Sequence, residues 1–360
     1  MKTLLRLLLK SQHQRHRSGS AQTEKGMTLV ELLVGAIMAF LIITPMLGFV
    51  VDMLNTDRRE QVKSNTEQDI QAAVDFIAQD LSQAIYIYDN NPATTTTSTT
   101  TATGIPALVA GNFIPQNPQN EIPILVFWKR QLLRNSLPTT SAIEPADCGP
   151  TTPCNDTYVL SLVAYYKVRE TDRNSIWCQP SGTTCPSRIV RYQIQDGVRN
   201  PYSTSPSQRY YTNVKNEQKP SPAFNIGDAT KPGFDISKPT ENVTNGLNSF
   251  AQERREVLVN YIDHDSSSGP LVPANECTIA LGNPTTQTGD PILETTLKIP
   301  ENSNNSFYAC VDTARNTARV TIRGNSLRRL QPNDTDYKAE KSAYFPTASV
   351  QVQGLGGLGK

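Results

Sequence analysis

The feature that most constrains this 360-residue chain is a long apolar run close to its N-terminus. The run extends from Met27 to Val51 and contains a single charged residue, Glu31. A helix of 25 residues reaches about 37 Å at 1.5 Å per residue, which is enough to cross the hydrocarbon core of a bilayer. We therefore predict one membrane-spanning helix at residues 27–51.

The charges on either side of the run predict its orientation. The first 26 residues carry six Lys or Arg residues and one Glu, whereas residues 52–60 contain both signs. Because basic segments stay on the cytoplasmic side, we expect a single pass through the inner membrane, a cytoplasmic N-terminus and a periplasmic or extracellular body. The chain has a net charge of +1 and its first 26 residues carry +5, so the remainder carries −4. This charge gives no support for binding nucleic acid.

Three simpler explanations of the run compete with a functional one. A secretory signal has an apolar stretch of only about 7–15 residues and a small-residue cleavage site. A buried core helix would not be expected directly after a basic block. A plain membrane anchor accounts for the length but not for Glu31, because a carboxylate inside hydrocarbon costs about 3 kcal/mol unless it finds a partner.

The ten residues at positions 25–34, KGMTLVELLV, resemble the processing site of type IV prepilins and type II secretion pseudopilins. In that family, prepilin peptidase cleaves after the glycine and methylates the new N-terminus. The resemblance implies cleavage between Gly26 and Met27 and N-methylation of Met27. The family usually has phenylalanine where this chain has Met27, so the chain carries an apolar variant of the motif.

The resemblance also implies a role for Glu31 and a set of partners. In filaments of this family, the glutamate pairs with the terminal amine of a neighbouring subunit. Opposite charges in a low-dielectric core attract strongly, and each relieves the desolvation cost of the other. The implied partners are prepilin peptidase, other pilins or pseudopilins, an inner-membrane assembly platform and, before assembly, membrane lipid. No cofactor is implied.

Two residues inside the apolar run predict a local distortion. Pro45 removes one backbone hydrogen bond, and Gly48 follows three residues later, so we expect a kink or local melting there. A helix that stretches at Pro45 would suit extraction from the membrane. The alternative is a proline that is simply tolerated, as in many membrane helices.

Helical periodicity continues beyond the membrane. Apolar residues recur at steps of four, three, four, four and three, at Ile70, Val74, Ile77, Leu81, Ile85 and Tyr88. We predict one helix over residues 27–88. The predicted division of the chain is a basic leader (1–26), a membrane or filament-core helix (27–51), a helical stalk packed on the body (52–92), a β-rich extracytoplasmic body (93–353) and a flexible tail (354–360).

The body has the composition of a turn-rich, mainly antiparallel sheet. The chain contains 25 prolines and 20 glycines, and 37% of its residues are hydrophobic. Runs rich in Val, Ile and Tyr predict strands at Ile122–Lys129, Tyr158–Arg169, Arg188–Gln195, Glu256–Asp263, Leu293–Ile299, Ser306–Val311 and Ala318–Arg323. Thr94–Thr103 and residues 200–250 are expected to be loops. The predicted fold class is α+β, with a long N-terminal helix on an antiparallel sheet.

The six cysteines all follow the membrane segment. An even number on the expected outer side favours disulfides, and we expect sequential pairing among the fifteen possible arrangements, namely Cys148 with Cys154, Cys178 with Cys185, and Cys277 with Cys310. Zinc is disfavoured because the first two spacings are wider than usual zinc-ligand spacings and no histidine is near.

The sequence contains no recognisable catalytic motif. The lone histidine beyond the leader, His264, lies between two aspartates and is expected to occupy a solvated turn. Asp228, Asp235, Asp334 and Asp336 offer oxygens for calcium, but their spacing matches no EF-hand loop. We therefore expect neither an enzyme nor a metal site.

The predicted function is that of a minor pilin-like subunit, because a body this large fits a rare or tip position better than a crowded filament shaft. The segment Arg315–Asn325 and the disulfide-rich body are similar to a cyanobacterial pseudopilin family associated with hormogonium polysaccharide secretion. That similarity implies a part in polysaccharide export. The alternative is an adhesin or substrate-binding module displayed on a pilus.

Overall fold

The computed structural model describes residues 28–91, 94–96, 99–101, 104–110, 114, 120–204, 209–221, 254–264, 269–270, 272–300 and 306–358. The predicted leader (1–26) and the predicted cleavage site between Gly26 and Met27 lie outside the described residues. The chain forms two compact units, Met1–Arg58 and Arg59–Lys360. They are described separately.

The longest element is helix α1, Leu29–Ser82, which contributes residues to both units. Its first part is the predicted apolar segment, and the helix continues through Pro45 and Gly48. Thr44 Oγ1 donates a hydrogen bond to the Phe40 carbonyl at 2.8 Å, one turn earlier. A bend at Pro45 and Gly48 stays a prediction.

In the second unit, the buried face of α1 follows the predicted periodicity. Ile70, Val74, Ile77 and Leu81 are all buried in the main core. The predicted end of the helix at Tyr88 is wrong, because α1 ends at Ser82 and strand β1 occupies Ala84–Ile87. Residues 85–88 alternate β-branched and aromatic side chains, which favour a strand. The helical part of the predicted stalk (52–92) therefore ends at Ser82.

Strands form most of the body. In the described residues they are β1 (Ala84–Ile87), β2 (Thr94–Thr96), β3 (Thr99–Thr101), β4 (Glu121–Leu137), β5 (Asn155–Arg169), β6 (Ser187–Gln195), β7 (Arg254–Ile262), β8 (Lys298–Ile299), β9 (Phe307–Asp312), β10 (Thr317–Arg323) and β11 (Thr347–Gln353). The short helices are α2 (Ile105–Ala110), α3 (Glu276–Ala280), α4 (Glu294–Leu297) and α5 (Leu327–Leu330). The expected α+β class is confirmed.

Two antiparallel sheets share the core with α1. The larger has the order β1-β4-β5-β6-β7, and the smaller has the order β11-β10-β9-β8. Apolar side chains of both sheets belong to the same buried cluster as the helix face. A buried hydrogen bond from Trp128 Nε1 to Tyr88 Oη, 2.9 Å long, joins β4 to the residue after β1.

Three sequence predictions about the body differ from the structure. The strand expected at Leu293–Ile299 is helix α4 followed by the two-residue β8, because the Glu294 carboxylate accepts hydrogen bonds of 2.8 Å from the backbone N–H groups of Cys277 and Thr278. Strand β11 was not predicted, since its side chains are only partly buried. The threonine run expected to be a loop contains the hairpin β2–β3, in keeping with the strand propensity of threonine.

The C-terminal segment lies beside β1. Residues 355–358 form a short 3₁₀ helix, and Gly354 N–H donates to the Asn316 carbonyl at 2.9 Å. Gly354 and Gly356 lie so close to the Ala84 and Ile85 carbonyls that a Cβ would collide with them. Glycine permits this close approach to β1, and the flexibility expected for residues 354–360 stays a prediction.

Candidate functional site

The first unit exposes a continuous apolar helix. Large hydrophobic side chains between Leu29 and Leu54 are from 48% to 84% exposed. Exposed apolar surface of this extent marks a membrane or protein interaction site. By length and composition α1 could span a membrane. The side of the membrane on which each end lies stays a prediction.

Glu31 lies in the first turn of this helix and forms a capping box with Thr28. The Glu31 N–H donates to Thr28 Oγ1 at 3.3 Å, and the Thr28 N–H donates to Glu31 Oε2 at 3.4 Å. The reciprocal bonds satisfy two backbone donors at the helix start. The capping role of Thr28 was not predicted, although the Thr-x-x-Glu spacing before an apolar run is the usual signal of a capping box.

The capping box leaves Glu31 available for a further contact. Its side chain is exposed, and within the part of the chain that the structure describes no cation lies at ion-pair distance from it. The carboxylate can therefore cap its own helix and still accept a cation from another molecule. Gly26 and Met27, the other predicted processing residues, lie outside the described residues.

A buried ion cluster joins the last turn of α1 to the body. Asp80 Oδ1 lies 2.7 Å from Lys129 Nζ on β4, and Asp80 Oδ2 lies 2.7 Å from Arg191 Nε on β6. The Tyr165 hydroxyl on β5 donates to Asp80 Oδ2 at 2.6 Å. One carboxylate thus connects the helix to three adjacent strands of the larger sheet.

The ionisation of Asp80 is set by these neighbours. Burial alone would raise the pKa of Asp80, but the charges and hydrogen bonds of Arg191 and Lys129 outweigh it and lower the pKa. Burial and the negative charge of Asp80 hold the pKa of Tyr165 well above its ordinary value. The cluster therefore contains a carboxylate and a neutral phenol, and neither is poised to exchange a proton near neutral pH.

The three predicted disulfides are confirmed. Cys148 pairs with Cys154, Cys178 with Cys185, and Cys277 with Cys310. The Cα atoms of the pairs are 5.6, 4.8 and 5.1 Å apart, within the ordinary range for disulfides. The first two close short loops, and the third joins α3 to β9. Disulfides of this kind persist in oxidising compartments.

His264 does not occupy the solvated turn that its neighbours suggested. Its Nε2 lies 2.7 Å from Asp336 Oδ1, and its Nδ1 lies 3.9 Å from Asp263 Oδ1. Asp263 is itself buried and accepts two hydrogen bonds from Arg323, at 2.8 and 3.1 Å. Burial raises the pKa of Asp263 despite this arginine. Asp263 and His264 directly follow β7, so these contacts connect the end of β7 to Arg323 at the end of β10 and to Asp336.

The aspartates considered for calcium are engaged otherwise or lie outside the described residues. Asp334 accepts from Lys341 Nζ at 2.5 Å and from Lys338 Nζ at 2.9 Å, and these two lysines lower the pKa of Asp334 to about 2. Asp228 and Asp235 fall in the part of the chain that is not described. In the described residues, no three His, Cys, Asp or Glu side chains converge on a point suited to a metal ion.

No match was found among known protein families, curated proteins or solved structures. The functional assignment therefore depends on the residues of this chain alone, and above all on the exposed apolar helix with Glu31 in its first turn.

Proposed function

We propose that this protein is a minor pilin-like subunit, a pseudopilin, of a type IV pilus or type II secretion-like filament. Prepilin peptidase would cleave it between Gly26 and Met27 and methylate Met27. The apolar half of α1 would then pass from the membrane into a filament core. The protein acts in this proposal as an assembly component and not as an enzyme.

The observation that carries the proposal is the surface of the first unit. Nearly the whole circumference of the helix between Leu29 and Leu54 is apolar and exposed, so it requires lipid or other helices around it. Glu31, the only carboxylate between Leu29 and Val51, is expensive in lipid but is matched in a filament by a neighbouring terminal amine. A subunit that resides first in lipid and then among helices accounts for both features.

The three disulfides and the charge distribution support the proposed location of the body. Disulfides form outside the cytoplasm, and the basic N-terminal segment favours a cytoplasmic N-terminus. A single-pass subunit with a periplasmic or extracellular body has both properties.

Export of polysaccharide is the finer form of the proposal. It is supported by the similarity of Arg315–Asn325 to the cyanobacterial pseudopilins named above. In the structure this segment forms the β9–β10 turn, strand β10 and the two residues after it. The alternative is a pilus-displayed adhesin or substrate-binding module, and it is favoured by a groove in the body between residues 69–76 of α1 and residues 257–261 of β7.

Processing is the most direct test of the proposal. Replacing Gly26 with Val should abolish removal of the 26-residue leader, because the peptidase must accept a residue without a side chain beside the scissile bond. The measurement is the intact mass of protein extracted from membranes of cells that express a prepilin peptidase.

The matched control is Gly35→Val in the same helix, where an added Cβ meets no atom within 4 Å. This variant should be processed normally. If Gly26→Val still loses the leader, or if the wild-type chain keeps it in the presence of the peptidase, the proposed function is wrong.

A further inference from the structure

A groove of about 500 Å³ lies within the body, in the unit Arg59–Lys360. It is lined by the part of α1 from residue 69 to 76, by residues 257–261 of β7, by Trp177 and by Arg329. Strand β7 is the edge of the larger sheet. Five successive strand residues at about 3.3 Å each give the groove a length of roughly 13 Å, so it suits an elongated ligand.

Three aromatic side chains contribute to the groove. Phe76 is 40% exposed, and Trp177 is half-buried in a short 3₁₀ turn whose last residue, Cys178, is held by a disulfide to Cys185. The Trp177 N–H also donates to Ser175 Oγ at 3.2 Å. These contacts hold the backbone at Trp177, and the guanidinium of Arg188 lies 5.3 Å from the centre of its ring.

The third aromatic residue, Tyr261, is held in an unusual backbone conformation. Its φ is 59°, which is rarely adopted by a bulky side chain and marks a strained position. The Tyr261 hydroxyl donates to the Gln179 carbonyl at 3.0 Å, and the guanidinium of Arg329 lies 4.6 Å from the ring centre. Strain of this kind is commonly found at binding sites.

Two polar atoms of the groove residues lack a hydrogen-bond partner among the described residues. They are the acceptor Asn260 Oδ1 and the donor Arg329 Nε, and both are buried. Both atoms are enclosed, so a ligand in the groove meets them only when the side chains of Asn260 and Arg329 turn towards it, and the unsatisfied donor and acceptor favour that turn. A ligand that both donates and accepts would satisfy both groups.

The charge of the groove restricts the ligand further. Asp69 and Arg329 form an ion pair with each other, so these two charged lining residues cancel. An anionic ligand would compete with Asp69, and a cationic ligand would compete with Arg329. A purely apolar ligand would leave Asn260 Oδ1 and Arg329 Nε without partners.

We propose that this groove binds a neutral saccharide chain. Sugar rings present apolar C–H faces that pack on aromatic rings, and their hydroxyl groups both donate and accept hydrogen bonds. In this site, Trp177 and Phe76 provide the aromatic faces, and Asn260 and Arg329 provide the polar contacts. Binding by the body requires neither leader cleavage nor entry into a filament, so it is separable from the proposed assembly role.

The test is isothermal titration of the full chain in a detergent without a sugar headgroup. The probes are three neutral hexasaccharides, maltohexaose, cellohexaose and chitohexaose, with polygalacturonate as an anionic comparison and an unstructured peptide as a strand-like comparison. At least one neutral hexasaccharide should bind saturably. Asn260→Ala and Phe76→Ala should each weaken that binding at least about tenfold, which is 1.4 kcal/mol.

Two features of the design keep the outcome clear. Phe76 is partly exposed, so its replacement tests the groove even if Asn260→Ala fails to fold. The control variant is Tyr158→Ala, which removes a ring that is 57% exposed on β5 and does not line the groove, and it should bind as wild type does. The proposal is overturned if none of the three hexasaccharides binds, if both groove variants bind unchanged, or if only polygalacturonate or the peptide binds.

Discussion

At the scale of single residues, the junction between α1 and the larger sheet depends most on the side chain of Asp80. Its two oxygens are both engaged by cations, and a tyrosine hydroxyl shares one of them. Because all of these groups are buried, loss of the carboxylate would leave Lys129 and Arg191 as uncompensated charges. Removing one partner of a buried ion pair is strongly destabilising.

We predict that Asp80→Asn lowers the free energy of unfolding of the body by about 3 kcal/mol or more. Asp75→Asn, on the exposed face of the same helix, should change it by less than about 0.5 kcal/mol. Thermal unfolding of the two variants in the same detergent, followed by circular dichroism, is the measurement. Equal melting temperatures for both variants would show that the cluster does not hold the helix.

The same residue predicts a dependence on pH. A carboxyl whose pKa is lowered by folding stabilises the protein fully above the unfolded pKa of about 3.9, and this stabilisation is lost as the pH falls through the folded value. Wild type should therefore lose more stability than Asp80→Asn between pH 6 and pH 3. If the two proteins lose stability in parallel over this range, Asp80 is not ionised in the folded body as described.

Single-residue chemistry was only partly predictable from the sequence. Periodicity identifies Ile77 and Leu81 as buried, but it does not reveal that Asp80 meets Lys129 and Arg191, which are 49 and 111 residues away. Such pairs depend on strand register, which a single sequence does not determine. Thr28 is different, because the Thr-x-x-Glu spacing is local and was available in the sequence.

At the scale of elements, the docking of α1 depends on one close approach. An added Cβ at Gly324, at the end of β10, would lie 2.9 Å from Thr66 Cγ2 and 3.0 Å from Ile70 Cγ1. Both neighbours are branched side chains on the buried face of the helix and have little room to move. Glycine at this position lets the helix lie directly against the strand.

We predict that Gly324→Ala destabilises the body by about 1–3 kcal/mol through this overpacking. Gly149→Ala is the control, because its added Cβ meets nothing within 4 Å. Urea unfolding followed by tyrosine and tryptophan fluorescence would measure the difference. An unchanged midpoint for Gly324→Ala would mean that the helix does not pack this closely.

Helices and strands that have a clear local residue pattern were predicted well. Those whose conformation depends on contacts with residues distant in sequence were predicted poorly. The strands β4 to β7 contain long runs of Val, Ile and Tyr, and all were predicted, although β4 and β5 are longer than expected. The end of α1 was misplaced because Ile85 and Tyr88 continue the helical spacing of the apolar residues, although β1 already begins at Ala84. Helix α4 was missed because its Glu294 is held by backbone groups of residues 277 and 278, far away in sequence.

At the scale of the whole molecule, the two parts of the chain differ in their surface and in their covalent cross-links. All six cysteines lie in the body, and all are paired. The sequential pairing was predictable because the first two pairs enclose short turn-forming segments. The apolar helix was predictable from composition alone, whereas the groove was not, since its residues come from four separate segments.

We predict that alkylation of the denatured, non-reduced protein from cells modifies none of the six cysteines. The reason is that a body outside the cytoplasm forms its disulfides in an oxidising compartment. Mass spectrometry gives the number of modified thiols, and a reduced sample with six modifications is the control. Six modified thiols without reductant would contradict both the disulfides and the proposed topology.

In the proposed filament, Glu31 acts as a charge between subunits and not only as a helix cap. Two substitutions separate these roles. Glu31→Gln retains a side chain able to complete the capping box but removes the charge, and Glu31→Leu removes both. Neither change touches the scissile bond, so both variants should insert in the membrane and lose the leader normally.

The decisive measurement is the amount of processed protein in sheared surface filaments relative to the amount retained in membranes, for wild type and both variants. We predict that Glu31→Gln and Glu31→Leu each reduce the filament fraction at least about tenfold, because a neighbouring terminal amine is left unpaired in a low-dielectric core. If Glu31→Gln enters filaments as well as wild type does, the carboxylate is only a cap and the charge-pair mechanism is wrong. If wild type itself never enters filaments, the chain is a membrane anchor and not a filament subunit.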